Sequence, residues 1–217
     1  MKIVLQLVLW VIIGVLSYLL FNAIYGEVKF NEVKEKRYKM AIENLRDLRV
    51  SQMAHKTVTK KYEADFDKLV RFIDTAQFTL TQRRDSTVLD EVATKNFGVD
   101  QYKEITIIDT LGYKSIKDSL FGGSDRYKTM INVPIDGANA KFEMKTGTIN
   151  KSNIDFPVFE IKVLKEVLLF DQDKDFINKE KQIVSVDGVN GDALTVGSLT
   201  KINTNGNWPK SYGANDE

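Results

Sequence analysis

Apolar and polar positions alternate with three different periods along the chain, and each period predicts a different element. From Ile3 to Gly26 the chain is uncharged, and only Gln6, Ser17 and Asn22 are clearly polar. A bilayer core about 30 Å thick needs about 20 apolar residues in a helix, so this run predicts a spanning helix in a transmembrane anchor over residues 1–26. Trp10, Tyr18 and Tyr25 are amphipathic and suit the membrane–water boundaries. Gly14 and Ser17, with Tyr18 and Gln6 near them, are small or polar enough to let another helix approach.

After Gly26 the period shortens to three and four. Tyr38, Ala41, Ile42, Leu45 and Leu48 form a stripe that continues through Gln52 and His55. This is an amphipathic helix from Val28 to about Val58. Glu32–Lys36 and Glu35–Lys39 add favourable pairs one turn apart. The stripe predicts either a partner interface or packing onto the domain that follows. A second short helix carries Phe66, Leu69, Val70 and Ile73 on one face, with Asp65 as its N-cap. Residues 27–77 therefore read as a helical stalk plus a short helix.

From Phe78 the period falls to two, the mark of half-buried strands. The predicted strands are Phe78–Thr81, Glu104–Thr110, Tyr127–Val133, Lys141–Lys145, Val158–Val163 and Gln182–Val186, the last pairing with Leu194–Val196 as a hairpin. Leu111-Gly112 suggests a turn, and a helix is expected near Asp173–Lys181. Residues 78–202 read as one mainly antiparallel β domain, and residues 203–217, rich in Asn, Gly and Asp, as a loosely ordered tail. The fold class is α+β: a transmembrane helix continuing into a helical stalk, then a small antiparallel-sheet domain with one or two short helices.

Composition narrows function. Thirty-one basic and 30 acidic residues leave a net charge of +1, which argues against nucleic acid as a partner. With no Cys there are no disulfides, thiolate zinc sites, Cys nucleophiles or lipid-modified cysteines, and one His excludes a two-His metal site. The span contains no Asp, Glu, Lys or Arg, so it carries no proton relay of its own. No cofactor is implied and no small-molecule substrate is evident. The expected partners are membrane lipid and other envelope proteins or a second copy.

The apolar run exceeds the 7–15 residues of a signal peptide core, and Phe21-Asn22-Ala23 makes a poor cleavage site. A retained anchor is expected. The basic residues after the span, Lys29, Lys34, Lys36, Arg37 and Lys39 against Lys2 before it, point the body to the cytoplasm if counted literally. Large domains translocate largely regardless of such charges, and a two-residue head suits a signal anchor with an exported body. Inner membrane, single-pass, with the body in the periplasm, is the expectation.

Candidate chemistry is sparse. Asp171-Gln172-Asp173-Lys174-Asp175 begins like a calcium loop, but Phe176 and Gln182 stand where Gly and Glu are needed, so an acidic helix start is expected. Phe121-Gly122-Gly123-Ser124-Asp125-Arg126 is a glycine turn before an expected strand, unlike a phosphate cradle. It leaves Arg126 and Tyr127 as candidate partner contacts. His55 reads as an interface or core histidine, and Arg83-Arg84 as a strand end or hairpin loop. Asp109, Asp118 and Asp125 are candidate hydrolase carboxylates, and their spacing selects no pair.

Leu45 to Ile73, LRDLRVSQMAHKTVTKKYEADFDKLVRFI, resembles the first part of type IV pilins and pseudopilins at Leu45, Arg49, Gln52, Ala54, Lys56, Lys61, Tyr62, Asp67, Leu69 and Phe72. It departs from them in lacking a prepilin cleavage motif and a glutamate after the apolar start, and in having Lys60 where Gly is expected. The segments FIDTAQFTLTQRRDS and NTNGNWPKSY are similar to uncharacterised single-pass envelope proteins of gliding Gram-negative bacteria. The overall plan is similar to assembly-platform proteins of pilus and secretion machines. The resemblance to envelope proteins implies no assigned activity. The expected function is a non-enzymatic membrane scaffold, with a pilin-like fibre subunit or a membrane-anchored hydrolase using those carboxylates as alternatives.

Overall fold

A computed structural model describes residues 2–213. One helix, α1 (Lys2–Thr59), joins the predicted span and stalk without a break, as expected of a segment whose only glycines are Gly14 and Gly26 and which has no proline. It ends at Lys60, whose φ of 65° is left-handed and whose amide donates to the Lys56 carbonyl at 2.8 Å. Then come α2 (Phe66–Thr75), β1 (Gln77–Leu89), α3 (Glu91–Phe97), β2 (Tyr102–Ser115) and α4 (Ile116–Phe121). A 3-10 turn (Arg126–Lys128) leads to β3 (Glu143–Lys151), β4 (Ile154–Leu164), α5 (Lys165–Leu168), α6 (Lys174–Lys181), β5 (Ala193–Gly197) and a last 3-10 turn (Lys210–Tyr212). The fold is α+β, with two small antiparallel sheets.

The expected single β domain divides between two compact units. One comprises Met1–Leu69 with Arg126–Glu217, and the other Val70–Asp125. In the first, the sheet order is β3-β4-β5. Ser152 and Asn153, at φ 55° and 61°, form the tight two-residue turn between β3 and β4. The core of this unit is the stalk stripe laid on the sheet. Tyr38, Ala41, Ile42, Leu45 and Leu48 are buried, as are Phe159, Ile161, Val163, Leu194 and Val196, and α1 packs against β4, β5 and α5. Each Leu or Ile so buried contributes roughly 1.5–3 kcal/mol.

Three expectations about this unit are corrected. Tyr127–Val133 is not a strand. It curls into turns held by Thr129 N–H to Arg126 O (3.2 Å) and Asn132 N–H to Thr129 O (3.0 Å). Tyr127, Met130, Ile131 and Val133 are all buried, which an alternating strand with one wet face does not allow. Gln182–Val186 is not a strand either, and Val184 and Val186 are each 91% exposed. β5 pairs with β4 instead, from Leu164↔Ala193 to Glu160↔Gly197, while the Asn190 side chain captures the Ser185 amide at 2.8 Å. The tail is ordered through Gly213. Gly206 bridges Val196, Asn207 N–H donates to Thr195 O at 3.0 Å, and Trp208 is buried. It closes the free edge of β5, and Arg46 of α1 donates to the Tyr212 carbonyl at 2.8 Å. Residues 214–217 of the predicted tail lie outside the described residues.

The second unit is dominated by the β1–β2 hairpin, paired from Gln77↔Ser115 to Leu89↔Tyr102. Arg83-Arg84 lies mid-strand rather than at an end. Leu111-Gly112 makes no turn: a bulge absorbs the extra residue between Leu80↔Gly112 and Thr81↔Thr110, and β2 continues to Ser115.

Candidate functional site

The apolar half of α1 is long and apolar enough to cross a membrane. Trp10, Ser17, Tyr18 and Tyr25 are exposed, and nothing lies within 4 Å of where a Gly14 side chain would begin. A helix so apolar and so bare departs from the usual burial of large side chains.

Of the two readings of the stripe, partner interface or packing onto the following domain, the structure shows the second. Ile42, Leu45 and Leu48 belong to the core. Gln52, also buried, receives the Glu63 amide at 3.0 Å through its side-chain oxygen. His55 is half-buried, its Nδ1 2.7 Å from the Lys61 carbonyl oxygen and 3.0 Å from Thr59 Oγ1. Both residues shape the turn after α1. The stripe ran with the polar Gln52 and His55 because these close a loop.

Arg126 and Tyr127 part company. Arg126 is exposed and pairs with Asp47 at 2.9 Å. Burial raises the Asp47 pKa, against the lowering influence of Arg126. Tyr127 is 0% exposed, a core residue rather than a partner contact.

A buried polar cluster escaped sequence reading. Lys165 is fully buried at the start of α5, where its ammonium donates to Glu180 O (2.6 Å), Val189 O (2.7 Å) and Glu180 Oε1 (3.3 Å). Three acceptors match its three N–H donors. Glu180 also takes Lys34 at 3.0 Å and the Tyr38 hydroxyl at 3.3 Å. Burial lowers the Lys165 pKa, opposed by Glu180, and burial together with Glu180 drives the Tyr38 hydroxyl far above its ordinary value. One turn further on, Arg37 donates to the Leu168 carbonyl at 2.9 Å and grips Asp171 at 2.8 Å, holding that carboxyl well below the usual carboxylate range. These contacts fasten α5 and α6 to α1. The sequence signal is the Lys165-Glu166 pair set among apolar residues from Val163 to Phe170.

In the second unit the hairpin presents the largest open surface. Its tip helix α3 has Asp90 as N-cap, accepting from Ala93 N–H at 3.1 Å, and left-handed Gly98 as its stop. Leu89, Val92, Phe97, Val99 and Tyr102 are all exposed there, Phe97 by 73%. Two of the candidate carboxylates of this unit are engaged in ordinary pairs, Asp109 with Arg84 at 3.0 Å and Asp125 with Lys117 at 2.7 Å, and the backbone N–H of Asp118 faces the Ser115 hydroxyl of the α4 N-cap. Among the described residues no three His, Asp or Glu form a metal-holding group.

No protein-family model, no curated protein and no solved structure matches this chain.

Proposed function

We propose that this chain is a non-enzymatic single-pass scaffold or assembly subunit of a bacterial cell-envelope machine of secretion, pilus-like or gliding type. It sits in the inner membrane, with its body in the periplasm. The observation that carries this reading is the apolar tip of the β1–β2 hairpin. An isolated two-stranded hairpin is marginal in water, and contiguous exposed apolar side chains mark interaction sites. The chemistry is positioning: the span sets depth, the stalk-based unit supplies a rigid body, and the hairpin offers Val92, Phe97, Val99 and Tyr102 to an envelope protein.

The test is a photo-reactive side chain placed at Phe97, and separately at Asp155 on the surface of the first unit, in cells expressing the full chain. A discrete cross-linked product at Phe97 and none at Asp155 is expected. Equal or absent cross-linking at both positions would sink the scaffold reading.

The pilin-like alternative has one observation in its favour: α1 is bare over its apolar half and packed on a sheet over the other, the division of labour that a helical fibre core needs. An intact N-terminal residue in the mature protein, found by mass spectrometry, removes it.

A further inference from the structure

The surroundings of α1 change abruptly at Gly26. Before it, Phe21 and Tyr25 stack on each other at 5.6 Å, and Tyr25 is still 56% exposed. At Gly26 the ring of Phe176 lies 3.6 Å from where a side chain would begin. One turn later Phe30 is only 6% exposed, its ring 5.2 Å from that of Phe176. Lys34 and Tyr38 then meet Glu180. Helix α6 thus lies along α1 from Gly26 onward, with Phe176 at the end nearer the span.

The uncharged run also stops at Gly26, and Glu27 is the first charge. Each headgroup layer is about 5–7 Å deep beyond the hydrocarbon core, and a helix rises about 1.5 Å per residue. Residues 27–30 of a helix leaving the core therefore occupy that layer. Phe176 touches Gly26 and Phe30, so it lies at the same depth. No linker separates span from domain. At this depth the exposed groups carry both signs equally: Asp173, Lys174 and Asp175 on α6, with Lys179 5.6 Å from the Phe176 ring centre, and Glu27 and Lys29 on α1. This mixture matches a zwitterionic headgroup, whose phosphate and ammonium need one partner of each sign. A purely anionic surface would want a basic excess.

Resting on the membrane reading above, we propose that the first turn of α6, Lys174 to Ile177, sits in a zwitterionic lipid headgroup layer. There it fixes the height of the folded unit on its span. Phe176 marks the hydrocarbon boundary, and Lys174 and Lys179 meet lipid phosphates.

The chain has no cysteine, so single Cys substitutions can be spin-labelled cleanly. The full chain, carrying Leu16→Cys, Lys174→Cys or Val58→Cys, is reconstituted into phosphatidylethanolamine–phosphatidylcholine vesicles. Accessibility to oxygen and to a water-soluble nickel chelate reports depth. The expected order is position 16 in the hydrocarbon, position 174 at headgroup depth and position 58 in bulk water. Position 16 deep with 174 as nickel-accessible as 58 overturns the α6 inference and leaves the anchor intact. Nickel access at position 16 overturns both. Shielding of 174 from both reagents means another copy of the chain covers α6, and the lipid contact is wrong.

Discussion

Lys165 and Glu180 form a buried ion pair in the core of the first unit. Glu180 is the shared counter-charge of Lys165 and Lys34 and the acceptor of Tyr38. Removing one member of a buried pair costs about 3–5 kcal/mol because the other charge is left uncompensated. Glu180→Leu is therefore expected to lower the urea midpoint sharply, whereas the double replacement of Lys165 by Met and Glu180 by Leu should recover much of the loss. Equal midpoints for the single and double variants would contradict the pairing. Asp171 has a pH consequence. Arg37 depresses its folded pKa, so its contribution is present above the ordinary aspartate value, about 4, and is lost as pH falls from there through the folded value. Asp171→Asn should lower stability by a constant amount at neutral and alkaline pH and flatten that acid limb of the stability profile. Lys60 is a third residue with a defined cost. A left-handed non-glycine residue is strained by roughly 1–2 kcal/mol, so Lys60→Gly is expected to raise the melting temperature. A fall would show that the Lys60 side chain, which donates to the Thr57 carbonyl at 3.2 Å, outweighs the strain.

At the scale of elements, the stalk and the hairpin behave oppositely. The stripe of α1 is core, so Leu45→Ala is expected to destabilise by about 2–5 kcal/mol. Phe97 is on the open tip, and Phe97→Asp should change stability by no more than about 0.5 kcal/mol while abolishing the partner contact proposed for the hairpin. Thermal denaturation and in-cell cross-linking separate the two effects. The elements also differ in how well they could be read. The span, the stalk, α2 and α6 follow from long periodic runs and from caps such as Asp65 and Asp173, which accept from Lys68 N–H at 3.2 Å and Asp175 N–H at 2.7 Å. Tyr127–Val133 and Gln182–Val186 were misread because a short apolar run looks alike in a strand, a buried turn or an exposed loop. Helix α3 was missed although Asp90 and Gly98 bracket it, because its seven residues are too few for a visible period.

At the scale of the whole molecule, the chain returns to its first unit after an excursion. Residues up to Leu69 and from Arg126 onward share one core, and Val70–Asp125 is inserted between them. The long apolar N-terminal helix, the amphipathic stalk, the α+β class and the absence of cysteine chemistry were decided by the sequence by itself, since hydropathy and periodicity are local properties that act wherever the chain goes. What covers the stalk stripe was decided only by the tertiary structure. An apolar stripe is equally satisfied by a partner or by its own sheet, and here β4, β5 and the tail cover it. The same holds for Lys165, whose charge is tolerated only because Glu180 and two carbonyls converge on it. It holds too for Phe176, whose ring packs at Gly26 and Phe30 and brings α6 against the end of the apolar run.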